Sequence, residues 1–184
     1  MLCDPRAAMI LAAILVTLPV QGEPARFGFG RAPTPAEIAA FDIDVRPDGQ
    51  GLPPGHGSVQ DGAKIFATTC ASCHGEKGET AVPTGAVLVG GQGTLKSAKP
   101  VKTIGSYWPY ATTLYDYIRR AMPFNAPQSL SNDEVYAVTA YLLSLNKIVP
   151  DNAVLDARTL PEVRMPNRDG FKPADWQHGE AVQK

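Results

Sequence analysis

The sequence predicts an all-α fold of three to four helices with an extended arm at each end. Three observations support it. Apolar residues recur at helical spacing in three separate segments, no segment alternates apolar and polar residues as a half-buried strand does, and glycine and proline cluster between the helical segments. At 184 residues the chain is long enough for one domain with additions rather than two full domains.

The first 22 residues read as an export signal. Arg6 starts it, Ala7 to Val16 form the apolar stretch, Thr17-Leu18-Pro19 breaks it, and Val20-Gln21-Gly22 offers small residues for cleavage. The stretch is shorter than the roughly 20 apolar residues needed to cross a hydrocarbon core of about 30 Å. Cleavage is therefore expected, Cys3 leaves with the signal, and no membrane span remains. Residues 23–57 form an N-terminal arm rich in Pro and Gly, with one weakly helical piece from Thr34 to Phe41. The compact part spans 58–149. Ser58 with Asp61 can cap its first helix, on which Val59, Ala63 and Phe66 fall at i, i+4 and i+7. That helix runs directly into Cys70.

From Gly75 to Pro100 the chain is turn-rich, with glycines at 75, 78, 85, 90, 91 and 93. A second helix is predicted from about Thr112 to Ala121, with Thr113 and Asp116 spaced as a cap pair and Leu114, Tyr117, Ile118 and Ala121 on one face. In the third, Ser131 and Glu134 form a capping box before Val135, Val138, Tyr141, Leu142 and Leu145. Asn146 to Pro150 stops it. Residues 150–184 hold four prolines and no periodic stretch, so they read as a C-terminal arm. Segments without a core face bury little within their own chain. Both arms are thus expected to dock on a partner, and removing 150–184 is expected to weaken a complex while leaving the protein's own spectrum intact.

Composition narrows the chemistry. Seventeen basic and 18 acidic residues give a net charge of −1, which leaves no basic patch for nucleic acid. The informative residues are Cys70-Ala71-Ser72-Cys73-His74. C-x-x-C-H is the attachment pattern for c-type haem: two thiols add across the porphyrin vinyl groups, and the adjacent His reaches the iron. A zinc site needs four ligands and a redox C-x-x-C sits in a βαβ unit, and neither context exists here. One motif predicts one covalent haem c held by Cys70, Cys73 and His74. Methionine opposite His is the common arrangement in electron-transfer cytochromes. Met122, followed by Pro123, is the preferred distal ligand, with Met165 in Arg164-Met165-Pro166-Asn167 as the alternative. His56 and His178 read as surface residues. Tyr107, Trp108 and Tyr110 are expected to line the haem pocket. A core this small gains a hydrophobic centre from the cofactor, so the apoprotein is expected to be largely unfolded.

The helix before C-x-x-C-H, the Met-Pro strap and the capped final helix together resemble class I cytochromes c. The resemblance implies three to four helices around one covalent haem, with Gly62 packed on Tyr141 and a loop proline carbonyl holding the proximal His ring, for which Pro83 is the candidate. A narrower resemblance covers nearly the whole mature chain, arms included. Phe41 to Gly49, Gly90 to Leu95, Lys102 to Tyr110 and Met165 to Phe171 are similar to the SoxD family, cytochrome subunits of sulfur (sulfane or sulfite) dehydrogenases. Some members carry a second haem domain, for which this chain has no second motif. The likeness implies a periplasmic protein that is not catalytic by itself. It would accept electrons from a molybdenum-cofactor, SoxC-like dehydrogenase subunit and pass them to a downstream cytochrome c. The alternatives are a free diffusible carrier, or an open-site haem enzyme or gas sensor in which neither Met binds iron.

Overall fold

The computed structural model describes residues 29–80 and 85–172; the segment 1–22, Cys3, Pro83 and His178 lie outside the described residues. Among the described residues five α-helices form: α1 (Pro35–Phe41), α2 (Val59–Thr69), α3 (Ala71–His74), α4 (Ala111–Ala121) and α5 (Asn132–Leu145). Two of the helix starts that the sequence predicts are observed in atomic detail. The Ser58 hydroxyl accepts the Asp61 N–H at 3.1 Å ahead of α2. Ser131 and Glu134 close the reciprocal box at α5, the Glu134 carboxylate accepting the Ser131 N–H at 2.8 Å.

The cap pair expected at Thr113 and Asp116 does not form. Helix α4 begins earlier, at Ala111 after Tyr110, which makes no side-chain cap bond, so both residues fall inside the helix. Asp116 is committed elsewhere. Its carboxylate accepts the Val45 N–H at 2.9 Å and pairs with Arg120, one turn on, at 2.9 Å.

The centre of the molecule is the crossing of α2 and α5. A Cβ on Gly62 would stand 1.9 Å from the Ala137 carbonyl oxygen and 2.8 Å from the Tyr141 Cβ, so only glycine permits this approach. Phe66 and Tyr141 then meet with ring centroids 5.4 Å apart. Helix α4 packs on α5 through Tyr115 and Tyr136, both fully buried, at 4.4 Å between centroids. Two three-residue strands, β1 (His56–Ser58) and β2 (Val154–Asp156), pair antiparallel with Gly57 opposite Leu155. Three residues are too few to show an alternating pattern, which is why the sequence does not announce them.

The arms depart furthest from expectation. Leu155, Leu160 and Met165 are 4%, 0% and 1% exposed and belong to the main hydrophobic cluster. Asn167 donates its side-chain N–H to the Tyr107 carbonyl at 2.7 Å, and the Arg168 guanidinium lies 4.5 Å from the Tyr110 ring centre. On the N-terminal side, Tyr136 Oη donates to the Pro53 carbonyl at 2.9 Å, and Arg120 reaches Asp44. Residues 42–55 and 150–172 are thus built into the body of the molecule. Within the N-terminal segment, α1 buries none of its residues. Among the described residues, no helix is long and apolar enough to cross a membrane.

Candidate functional site

Cys70 stands at the joint between two helices. Its N–H closes α2 on the Phe66 carbonyl at 2.9 Å, and its own carbonyl accepts the N–H groups of Cys73 and His74, each at 3.1 Å. The motif is thereby wound into a single turn that presents two sulfurs and an imidazole. Gly75 ends the turn at φ +80°, a left-handed value that disfavours side chains, and its N–H returns to the Ala71 carbonyl at 2.9 Å.

His74 Nδ1 lies 2.7 Å from the Ala86 carbonyl oxygen. A carbonyl only accepts, so Nδ1 carries the proton and the Nε2 lone pair is left for a metal. The acceptor expected from the family resemblance was Pro83; in this structure Ala86 fills the role. A backbone carbonyl leaves no mark on residue identity, so spacing alone could not find it. The loop that brings Ala86 to the ring also rests on the motif, since a Cβ on Gly85 would stand 2.0 Å from the Cys73 carbonyl oxygen.

Cys70 and Ala71 of the motif are half-buried and packed against the core, as are Leu88, Trp108, Met122, Leu130 and Tyr141. Burial pushes the Cys70 thiol up to about 11, with the adjacent Cys73 adding to the shift. Met122 follows the last residue of α4, its N–H bonded to the Ile118 carbonyl at 3.0 Å. Met165 lies instead inside the main core. His56 is exposed on β1, where its backbone N–H donates to Asp133 at 2.8 Å. Of the three aromatics expected at the pocket, Trp108 is half-buried against the core and meets Tyr117 edge-on at 5.7 Å. Tyr107 and Tyr110 are taken by the C-terminal segment, through Phe171 at 5.2 Å and Arg168 respectively.

The residues present fit a covalently attached haem. Among the described residues, no three His, Cys, Asp or Glu side chains converge as a bare metal ion would require. Two thiols on one turn and one imidazole with its Nε2 available suit a porphyrin held through its edge and ligated at its iron.

Comparison with known proteins agrees. Residues 59–146 match the family described as Cytochrome c. A chain in the crystal structure of the sulfane dehydrogenase SoxCD from Paracoccus pantotrophus is 51% identical, with a TM-score of 0.75 over 82% of this chain and 73% of that one. A chain of the thiosulfate dehydrogenase TsdBA from Marichromatium purpuratum is 26% identical over 47% of this chain and 17% of that one, at a TM-score of 0.33, and carries no weight. The first match extends well past the stretch shared with the family at large. On the motif, the Gly62 crossing and a relative of that identity, the chain belongs to the class I cytochrome c family of electron carriers, whose haem c is covalently held.

Proposed function

We propose that this chain is a periplasmic monohaem cytochrome c that accepts electrons from a molybdenum-containing sulfur or sulfite dehydrogenase subunit and passes them to a downstream carrier. The observation that carries the reading is the 51% identity to a chain of sulfane dehydrogenase SoxCD over 82% of this one, far beyond the generic cytochrome stretch. The single C-x-x-C-H supports one haem, and the apolar run near the N-terminus supports export.

In this reading Cys70 and Cys73 would hold the porphyrin through thioether bonds, and His74 Nε2 and the Met122 sulfur would ligate its iron. The bound haem supplies a one-electron couple between Fe(III) and Fe(II). The chain's own residues set the conditions for it. Ala86 keeps the His74 proton on Nδ1, which orients the ring and raises the basicity of Nε2. Pro123 stiffens the strap after Met122 and removes an N–H that could compete for the sulfur. With His74 and Met122 both ligating, the chain would leave no place for substrate at the metal, and a two-electron oxidation at the partner would have to leave one electron at a time.

Isolation from the native periplasm tests the partner. Molybdenum is expected to elute with this chain in fixed ratio; elution of the chain alone would make it a diffusible carrier. Carbon monoxide tests the ligands. The reduced Met122→Leu protein is expected to bind the gas, and Met165→Leu is expected not to. The reverse would move the distal role to Met165, and binding by the unaltered protein would favour an open-site enzyme or sensor.

A further inference from the structure

Asn146 closes α5 and is 3% exposed. One of its bonds is the ordinary helix-end contact, Nδ2 to the Leu142 carbonyl at 2.9 Å. The other bonds of its side chain and of its carbonyl leave the helix. Nδ2 also donates to the Leu88 carbonyl at 3.2 Å, Oδ1 accepts the Gly90 N–H at 3.1 Å, and the Asn146 carbonyl accepts Gln92 Nε2 at 3.0 Å. All three partners lie on the strap that carries Ala86. Other polar groups of the strap are used as well. The Leu88 N–H donates to the Gly78 carbonyl at 2.8 Å, and the Thr103 hydroxyl donates to the Gly90 carbonyl. Room for this clamp is reserved at Gly105, where a Cβ would stand 2.2 Å from Asn146 Oδ1 and 2.6 Å from Gln92 Nε2. Ala86 itself is exposed, so the position of its carbonyl depends on the strap on which it sits.

We propose that Asn146 is a positioning residue for the proximal side of the haem site, holding the 86–92 strap so that the Ala86 carbonyl stays on His74 Nδ1. The inference rests on His74 being the proximal iron ligand. An accepting partner at Nδ1 makes the imidazole a more basic ligand, which stabilises Fe(III). Loosening the strap weakens that bond, makes the ligand less basic and favours Fe(II). The reduction potential therefore rises when the clamp is cut.

The test uses the full-length holoprotein and two readouts: the reduction potential, and solvent exchange of the His74 Nδ1 proton followed by proton NMR in the oxidised state. Asn146→Leu removes all the side-chain bonds. Asn146→Asp keeps the size and the Gly90 contact but loses donation to Leu88. Both are expected to raise the Fe(II)/Fe(III) ratio at fixed solution potential at least threefold, or about 28 mV at 59 mV per tenfold for one electron. The ring proton is expected to exchange at least tenfold faster. Gln92→Ala, at an exposed position, is expected to shift both in the same direction by less. Ser144→Ala cuts a bond to Asp151 at the same end of α5 and is expected to shift neither. Unchanged potential and exchange in the Asn146 variants would overturn the proposal. Should those variants fail to take up haem, unchanged values in Gln92→Ala would overturn it alone. Absence of any iron-shifted His74 ring proton in the unaltered protein would instead remove the ligand assignment itself, and the proposal with it.

Discussion

Helix α1 has a complete capping box, with Thr34 and Glu37 bonded reciprocally and Pro35 at its first position, yet none of its residues is buried and Phe41 is 84% exposed. The segment from 150 to 172 contains no α-helix, and it places Leu155, Leu160 and Met165 in the hydrophobic core. The contrast separates two properties that sequence patterns tend to merge. Cap chemistry and backbone preference decide whether a short stretch curls into a helix. Whether the stretch belongs to the body depends on what its side chains meet, and a turn-rich segment can deliver single apolar residues to the core without any period.

The strongest way to break this comparison is to remove 150–184. Three buried apolar side chains at about 1.5–3 kcal/mol each come close to the about 5–15 kcal/mol that holds a typical domain together. The truncated chain is expected to lose its fold and take up no haem. A truncation that keeps native circular dichroism and visible spectrum would return the segment to the status of a detachable arm.

Leu160→Ala sharpens the point at a single residue. Its fully buried side chain predicts a loss of about 2–5 kcal/mol in denaturant unfolding. A loss below about 0.5 kcal/mol would show that the segment is only laid on the surface. Asp116→Ala is expected to have a smaller effect, about 1–3 kcal/mol, because it strands the Val45 N–H in a half-buried setting. At the other extreme, Phe41→Ser on α1 is expected to change stability by no more than about 0.5 kcal/mol. A larger loss would mean that α1 rests against the body in solution.

The finest test is pH. The Arg31 guanidinium, then the Thr34 backbone and hydroxyl, draw Glu37 down from 4.5 to about 2. The bonded form is the carboxylate, so its contribution to α1 is complete above pH 4.5 and disappears as pH falls through about 2. Amide signals of α1 are expected to titrate with a midpoint near 2. A midpoint near 4.5 would show that the capping box does not persist in solution.

The legible parts share one trait: the signal is local. Ser58 with Asp61 and Ser131 with Glu134 lie three residues apart, Cys70, Cys73 and His74 lie within one turn, and Gly62 stands out because an interior helix glycine costs about 1 kcal/mol against alanine. The Ala86 acceptor and the Asn146 clamp join backbone atoms to residues far along the chain. No residue type at position 86 advertises its carbonyl, and an asparagine at a helix end reads equally well as a plain terminator. The mistaken cap at Thr113 and Asp116 has the same origin, because a spacing of three cannot say where the helix starts.

The sequence by itself determined the helical elements and the single haem-attachment motif, because each depends on local spacing, and its resemblance to class I cytochromes c implied the close crossing at Gly62. Tertiary structure alone decided that the terminal segments complete the core, that Tyr107 and Tyr110 turn toward residues 168–171, and that the Ala86 carbonyl meets His74. Those outcomes depend on which surfaces the folded chain brings together. Burial and backbone hydrogen bonding between distant segments leave no period in the order of residues.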